Sequence, residues 1–128
     1  SNLFSKNSSI ITLFGCGGNR DKYKRPIMGQ IAEKYSNKVY ITSDNPRYEI
    51  FLEIVADISA GFLKKDYIVI KDRTKAIKEA IKLMPENSIL IILGKGHENY
   101  QEINGIKMSH NDIDIIESLR FESQNRRK

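Results

Sequence analysis

The sequence predicts an α/β fold, an open, mostly parallel sheet with helices on both faces. Three observations predict it. Short runs rich in β-branched residues alternate with longer stretches of helical periodicity. The runs stop at glycines or turn clusters. The 128 residues, 40% hydrophobic and 29% charged, suffice for one domain with its own core and would divide awkwardly into two.

Each element has its own signal. Ile10 to Phe14 is a continuous apolar run stopped by Gly15, the pattern of a strand buried on both faces. Pro26 suits a first helical turn, and Ile27, Ile31 and Tyr35 at spacing four predict a core-facing stripe. Val39 to Thr42 reads as a second strand. Ile50, Ile54 and Ile58 mark the next helix, with Gly61 placed where a left-handed cap would end it. Tyr67 to Ile70 is a third strand. Asp72 then reads as an N-cap before Ala76, Ile77, Ala80, Ile81 and Met84, which share one helical face. Ser88 to Leu93, stopped by Gly94, is a fourth strand. Tyr100 to Ile103 and Ile106 to Met108 flank Asn104-Gly105, a strong hairpin signal. Asn111 or Asp112 caps a last helix carrying Ile115, Ile116 and Leu119.

The order β-α-β-α-β-α-β, a β-hairpin, then α gives a Rossmann-like sheet with right-handed crossovers and a C-terminal β-hairpin. Ligands of such sheets sit beyond the carboxyl ends of the strands. The chemistry is therefore expected just after Phe14, Thr42, Ile70 and Leu93.

Composition excludes several classes. The longest aliphatic run, Ile89 to Leu93, is far short of the roughly 18 residues a membrane span needs. Ser1 to Ser9 lack the charged-then-apolar layout of a secretory leader. A single cysteine, Cys16, allows no internal disulfide and favours a reducing compartment, so a cytoplasmic location is expected. The net charge of +5 suits anionic ligands without demanding nucleic acid. No aromatic interleaving surrounds the basic residues to suggest a nucleic-acid surface. Neither a membrane nor a nucleic acid is expected as partner.

Three strand ends carry polar motifs. After Phe14 stands Gly15-Cys16-Gly17-Gly18-Asn19-Arg20-Asp21-Lys22. It matches neither the dinucleotide fingerprint nor the Walker loop, but it places Arg20 to meet an anion. After Thr42 stands Ser43-Asp44-Asn45-Pro46-Arg47. Pro46 stiffens this turn, and a rigidly mounted arginine presents its planar fork to a carboxylate. A turn that merely starts the next helix explains the same residues. After Leu93 stands Gly94-Lys95-Gly96-His97-Glu98, where Glu98 suits an ammonium group, Lys95 an anion and His97 an oxygen. No metal site is expected, since His110 is the only other histidine and the spacings are wrong for zinc. A Cys16–His97 nucleophilic pair lacks anything that activates the thiol. Asp72-Arg73 follows a strand end, and capping accounts for it. A rim mixing Arg20, Arg47 and Lys95 with Asp44 and Glu98 suits a zwitterion such as an amino acid.

These motifs, together with Lys24-Arg25-Pro26, resemble the C-terminal domain of the Mur ligases from about Ile10 to Leu119, in the branch that adds meso-diaminopimelate. The resemblance implies an ATP-dependent ligase of peptidoglycan synthesis. Such a ligase would join meso-diaminopimelate to UDP-MurNAc-L-Ala-D-Glu with the help of Mg2+. The domain would recognise the incoming amino acid through Arg20, Asp44, Asn45, Pro46, Arg47, Gly94 and Glu98, with Lys95 and His97 as secondary contacts. It also implies that no catalytic residue lies in this chain, and that ATP and Mg2+ are bound mainly elsewhere in the full-length enzyme. The chain would be inactive alone, and the enzyme a monomer. On this reading residues 1–9 are a disordered or added lead, 10–122 the domain without its first part, and 123–128 a basic tail. Tyr48-Glu49-Ile50-Phe51 departs from the family's usual sequence after Asp-Asn-Pro-Arg. A lysine-adding branch of the family, a stand-alone phosphate- or nucleotide-binding module and a basic nucleic-acid module are the competing readings.

Overall fold

A computed structural model describes residues 9–18, 22–94, 100–103, 106–109 and 112–118. The chain forms β1 (Ser9–Phe14), α1 (Lys24–Tyr35), β2 (Lys38–Ile41), α2 (Phe51–Ser59), β3 (Ile68–Val69), α3 (Arg73–Leu83), β4 (Ser88–Ile92), β5 (Tyr100–Ile103) and β6 (Ile106–Ser109), followed by a helix over 112–118, α4. The first four strands pair in parallel in the order β3-β2-β1-β4. The crossovers diverge between β1 and β4, and a crevice opens at the carboxyl ends there. β5 and β6 form an antiparallel hairpin with Ile103 opposite Ile106, as Asn104-Gly105 predicts. The lead and the basic tail lie outside the described residues, except that Ser9 already belongs to β1.

Alternation along β1 and β2 splits the core into two layers. Phe14, Val39 and Ile41 face α1 and α2, where they meet Ala32, Phe51, Ile54, Val55, Ile58 and Phe62. Ile11, Leu13 and Tyr40 face the other way, against Ala76, Ile77 and Ala80 of α3, with Ile115 and Ile116 of α4 packed alongside. Helices therefore cover both faces, as expected. Asp72 caps α3 by accepting a hydrogen bond from the Lys75 amide at 3.1 Å.

Ile50, expected in one stripe with Ile54 and Ile58, is the N-cap of α2 and is exposed. Two further expectations need correcting. Ile27, Ile31 and Tyr35 do not face the core; they are 53%, 52% and 63% exposed. α1 instead buries Arg25, Gly29 and Ala32, because small residues let it approach its neighbours closely. A Cβ on Gly29 would stand 2.3 Å from the Ile58 carbonyl oxygen of α2. Ile31 and Tyr35 instead border an apolar groove of about 370 Å3 beside β1 and β4, with Phe14, Ile91 and Leu93 on its floor and walls. The second correction concerns Gly61, which is not a left-handed cap. Gly94 is the one glycine with positive φ among the described residues. Gly61 is needed for proximity: a Cβ there would fall 1.8 Å from the Pro26 carbonyl oxygen.

Gly61→Ala is expected to destabilise the chain by about 1–3 kcal/mol, as overpacking against immobile backbone does. Ile27→Ser, on the exposed stripe, should change stability by no more than about 0.5 kcal/mol. Urea unfolding followed by circular dichroism checks both values.

Candidate functional site

Two glycines seat the loop after β1 directly against the turn after β2. A Cβ on Gly15 would lie 2.3 Å from the Thr42 carbonyl oxygen, and one on Gly18 would lie 1.7 Å from that of Pro46. No side chain fits at either position. The Gly18 amide donates to the Asn45 carbonyl at 2.5 Å. Two arginines hold the next carbonyls of the loop. Arg25 Nη2 donates to Gly17 O at 2.9 Å, and Arg47 Nη1 donates to Gly18 O at 3.0 Å and to Asn45 O at 3.3 Å.

Arg47 has φ of 55°, the left-handed region that costs a side-chain-bearing residue energy. The turn that begins with Asp44 thus ends in a conformation that the chain would not adopt unaided. Pro46 is buried, and Asn45 is 5% exposed. A further turn bond from the Glu49 amide to Pro46 O at 2.9 Å leads the chain into α2. Gly94, with φ of 116°, brings the end of β4 to the same rim. A Cβ built on it would be 3.2 Å from Asp44 Oδ2 and 3.6 Å from Arg73 Nη2.

Of the residues expected to bind a ligand, the structure brings together Asp44, Asn45, Pro46, Arg47 and Gly94. Arg20, Lys95, His97 and Glu98 lie outside the described residues. A cleft of about 500 Å3 opens between the glycine loop, α1 and Gly94, lined by Cys16, Lys24, Arg25, Met28 and Asp44 among others. Arg47 is not in its lining; it braces the other flank of the glycine loop.

Sequence reasoning missed two buried arginines. Arg25 is 1% exposed and faces Glu49 with both terminal nitrogens, at 3.0 Å each, while Nη1 also donates to Asp57 at 2.8 Å. Glu49, more than the opposing effect of burial, holds its pKa above the ordinary value, and Asp57 adds to the rise. Arg73, also 1% exposed, donates from Nε and Nη2 to the two oxygens of Asp112, at 2.9 Å each. One signal for Arg73 was available: a cation at the first position of a helix opposes the helix dipole, so its reason had to be tertiary.

The thiol of Cys16 packs 3.6 Å from Met28 Sδ. Burial pushes it up to about 11, against a smaller lowering by Arg25 and with Asp44 and Asp57 adding to the rise. Its contact with Met28 and its raised pKa suit packing better than nucleophilic attack. The glycine loop is a poor phosphate cradle, since such cradles turn successive amides toward the anion. Here the Gly18 amide is engaged and the carbonyls of Gly17 and Gly18 are the groups held in place. Among the described residues no three His, Cys, Asp or Glu side chains stand together to hold a metal, and no helix is long and apolar enough to cross a membrane.

Residues 2–96 match the family described as Mur ligase, glutamate ligase domain. The chain is 50% identical over 111 residues to the UDP-N-acetylmuramoyl-L-alanyl-D-glutamate--2,6-diaminopimelate ligase of Aquifex aeolicus (strain VF5), covering 86% of this chain and 23% of that protein. The protein of the same name from Phocaeicola vulgatus is 50% identical over 113 residues, 86% of this chain and 23% of its own length. A solved structure of a ligase of that name superposes with a TM-score of 0.83 at 41% identity, over 91% of this chain and 24% of the other. The chain thus spans about a quarter of the length of the relatives it matches.

The Cys16 shift has a testable sign. The folded state favours the protonated thiol, so this contribution to stability is fully present below the ordinary value of 9.0 and is lost as pH rises through about 11. Iodoacetamide at pH 8 is expected to alkylate Cys16 about 50-fold or more slowly in the folded chain than in urea, because the thiolate is the nucleophile. Mass spectrometry of timed aliquots measures it.

Proposed function

The chain belongs to the Mur ligase, glutamate ligase domain family, and on that premise we propose that it is the amino-acid-recognising domain of a ligase that adds meso-diaminopimelate to UDP-MurNAc-L-Ala-D-Glu. The relatives' names support the activity. The single observation that carries the site is the braced turn Asp44-Asn45-Pro46-Arg47. It places Arg47, with its backbone in the left-handed region and its guanidinium on the Gly18 carbonyl, after the carboxyl end of β2, and it sets the Asp44 carboxylate against Gly94. A rim with both signs of charge matches an amino acid that carries both.

In this reading Arg47 and Asn45 hold the far end of diaminopimelate, and Arg20 helps to clamp a carboxylate. Gly94 leaves room for the ligand, while Asp44 and Glu98 favour an ammonium group. Lys95 and His97 are secondary contacts. Lysine lacks the second carboxylate of diaminopimelate, and bound in its place it would leave positive charge at the rim uncompensated. That is why the diaminopimelate-adding reading is preferred to the lysine-adding one.

The wiring of the glycine loop does not suit the phosphates of ATP, and Mg2+ is held largely by such phosphates. We assign both to parts of the full-length protein beyond this chain and derive no step through them here. This domain's contribution is to bind and orient the amino acid so that its amino group can reach an activated carboxyl group. The reading takes the protein as a cytoplasmic monomer, and a single cysteine suits the reducing compartment that this implies.

In the full-length protein, Arg47→Ala is expected to raise KM for diaminopimelate about 100-fold, the worth of a lost charge-assisted pair, while KM for ATP changes less than about threefold. Equal rises in both constants would refute the assignment. The 128-residue chain alone is expected to release no phosphate from ATP when diaminopimelate is added; a malachite-green assay showing release would place the chemistry in this domain.

A further inference from the structure

Arg73 has no part in the reading above, yet it is bonded to both walls of the site. Asp72 already caps α3, so nothing local calls for an arginine at the next position. Its side chain is nonetheless buried, with four hydrogen bonds leading to three separate elements. Nε and Nη2 grip both oxygens of Asp112 at 2.9 Å. Nη1 donates to Ser43 O at 3.3 Å, and Nη2 donates also to Leu93 O at 3.2 Å. Ser43 immediately precedes Asp44, the start of the arginine-bearing turn. Leu93 immediately precedes Gly94. One planar group therefore holds the last carbonyl before each wall, and α4 supplies the counter-charge that keeps it there. The walls are within contact range, since a Cβ on Gly94 would lie 3.2 Å from Asp44 Oδ2.

We propose that Arg73 is a positioning residue for amino-acid recognition. Anchored by Asp112, it sets the separation between the Asp44–Arg47 turn and Gly94 without itself touching the ligand. This inference rests on the reading that the rim binds diaminopimelate. Geometry makes the role specific to arginine: a guanidinium fixes the directions of its donors in one plane, whereas an ammonium on a flexible stem does not. Placement of α4 is thereby coupled to the shape of the site through Asp112.

The test is steady-state kinetics of the full-length protein carrying Arg73→Lys, with thermal melting alongside. KM for diaminopimelate is expected to rise tenfold or more, with kcat reduced less than threefold, KM for ATP within twofold, and discrimination against lysine weakened. A lower melting temperature with KM for diaminopimelate unmoved, or a parallel rise in every KM, would overturn the proposal. Should Arg73→Lys fail to fold, Asp112→Asn decides: the same selective rise in KM supports the role, and an unchanged KM rejects it. Failure of the underlying reading has a different signature. The unsubstituted protein would then not use diaminopimelate and Arg47→Ala would alter nothing, and both the reading and the inference would fall.

Discussion

Two guanidinium groups held at 1% exposure dictate how the helices and loops of this domain meet. Neither can be solvated by water, and an arginine does not shed its proton, so each requires anions built into the fold. Arg25 draws Glu49 and Asp57 from the approach to α2 and from α2 itself, together with the Gly17 carbonyl. Arg73 draws Asp112 from α4 and the carbonyls that close β2 and β4. Removing one partner from such a pair typically costs about 3–5 kcal/mol, because the other charge stays buried. The pairs thus fix which elements sit together more than they add stability over an apolar core.

The glycine loop is tied to Arg25, and its wiring decides what the site is suited to. Arg25 takes the Gly17 carbonyl from one side, and Arg47 takes that of Gly18 from the other. The Gly18 amide is spent on Asn45. A loop pinned through its carbonyls is a rigid wall and a poor receptor for phosphate. The same contacts hold Arg47 in a left-handed backbone conformation, so part of the fold's stability is used to keep one positive group at the rim. Rigidity of this kind lets a site discriminate between ligands that differ by one carboxylate.

The elements and their order along the chain were legible because they follow from local patterns. The apolar run from Ile10 to Phe14 needs burial on both faces. Asp72 has a capping oxygen at the right offset, and Asn104-Gly105 has few alternatives to a tight turn. The turn at Asp44–Arg47 was legible as well, since Pro46 restricts the backbone regardless of what surrounds it. The α1 stripe misled because spacing four identifies a helical face but not which way it points. Gly29 and Ala32 allow a closer approach than Ile27 and Ile31 would, and the tighter packing won. Gly61 misled similarly: a glycine after a helix suggests a special φ, but here it was required by the Pro26 carbonyl, 35 residues earlier in the sequence.

By itself the sequence determined the α/β class, the order of elements along the chain, the Asp72 cap and the hairpin of β5 and β6. All of these depend on residues within a few positions of one another. The tertiary structure alone decided that Arg25 and Arg73 are interior, that Arg47 is tied to the glycine loop, and that Gly94 meets Asp44. Those facts depend on pairs separated by 24 residues for Arg25 and Glu49 and by 39 for Arg73 and Asp112. A charge looks solvated in sequence until its partner is placed beside it, and only the closed sheet brings the partners together.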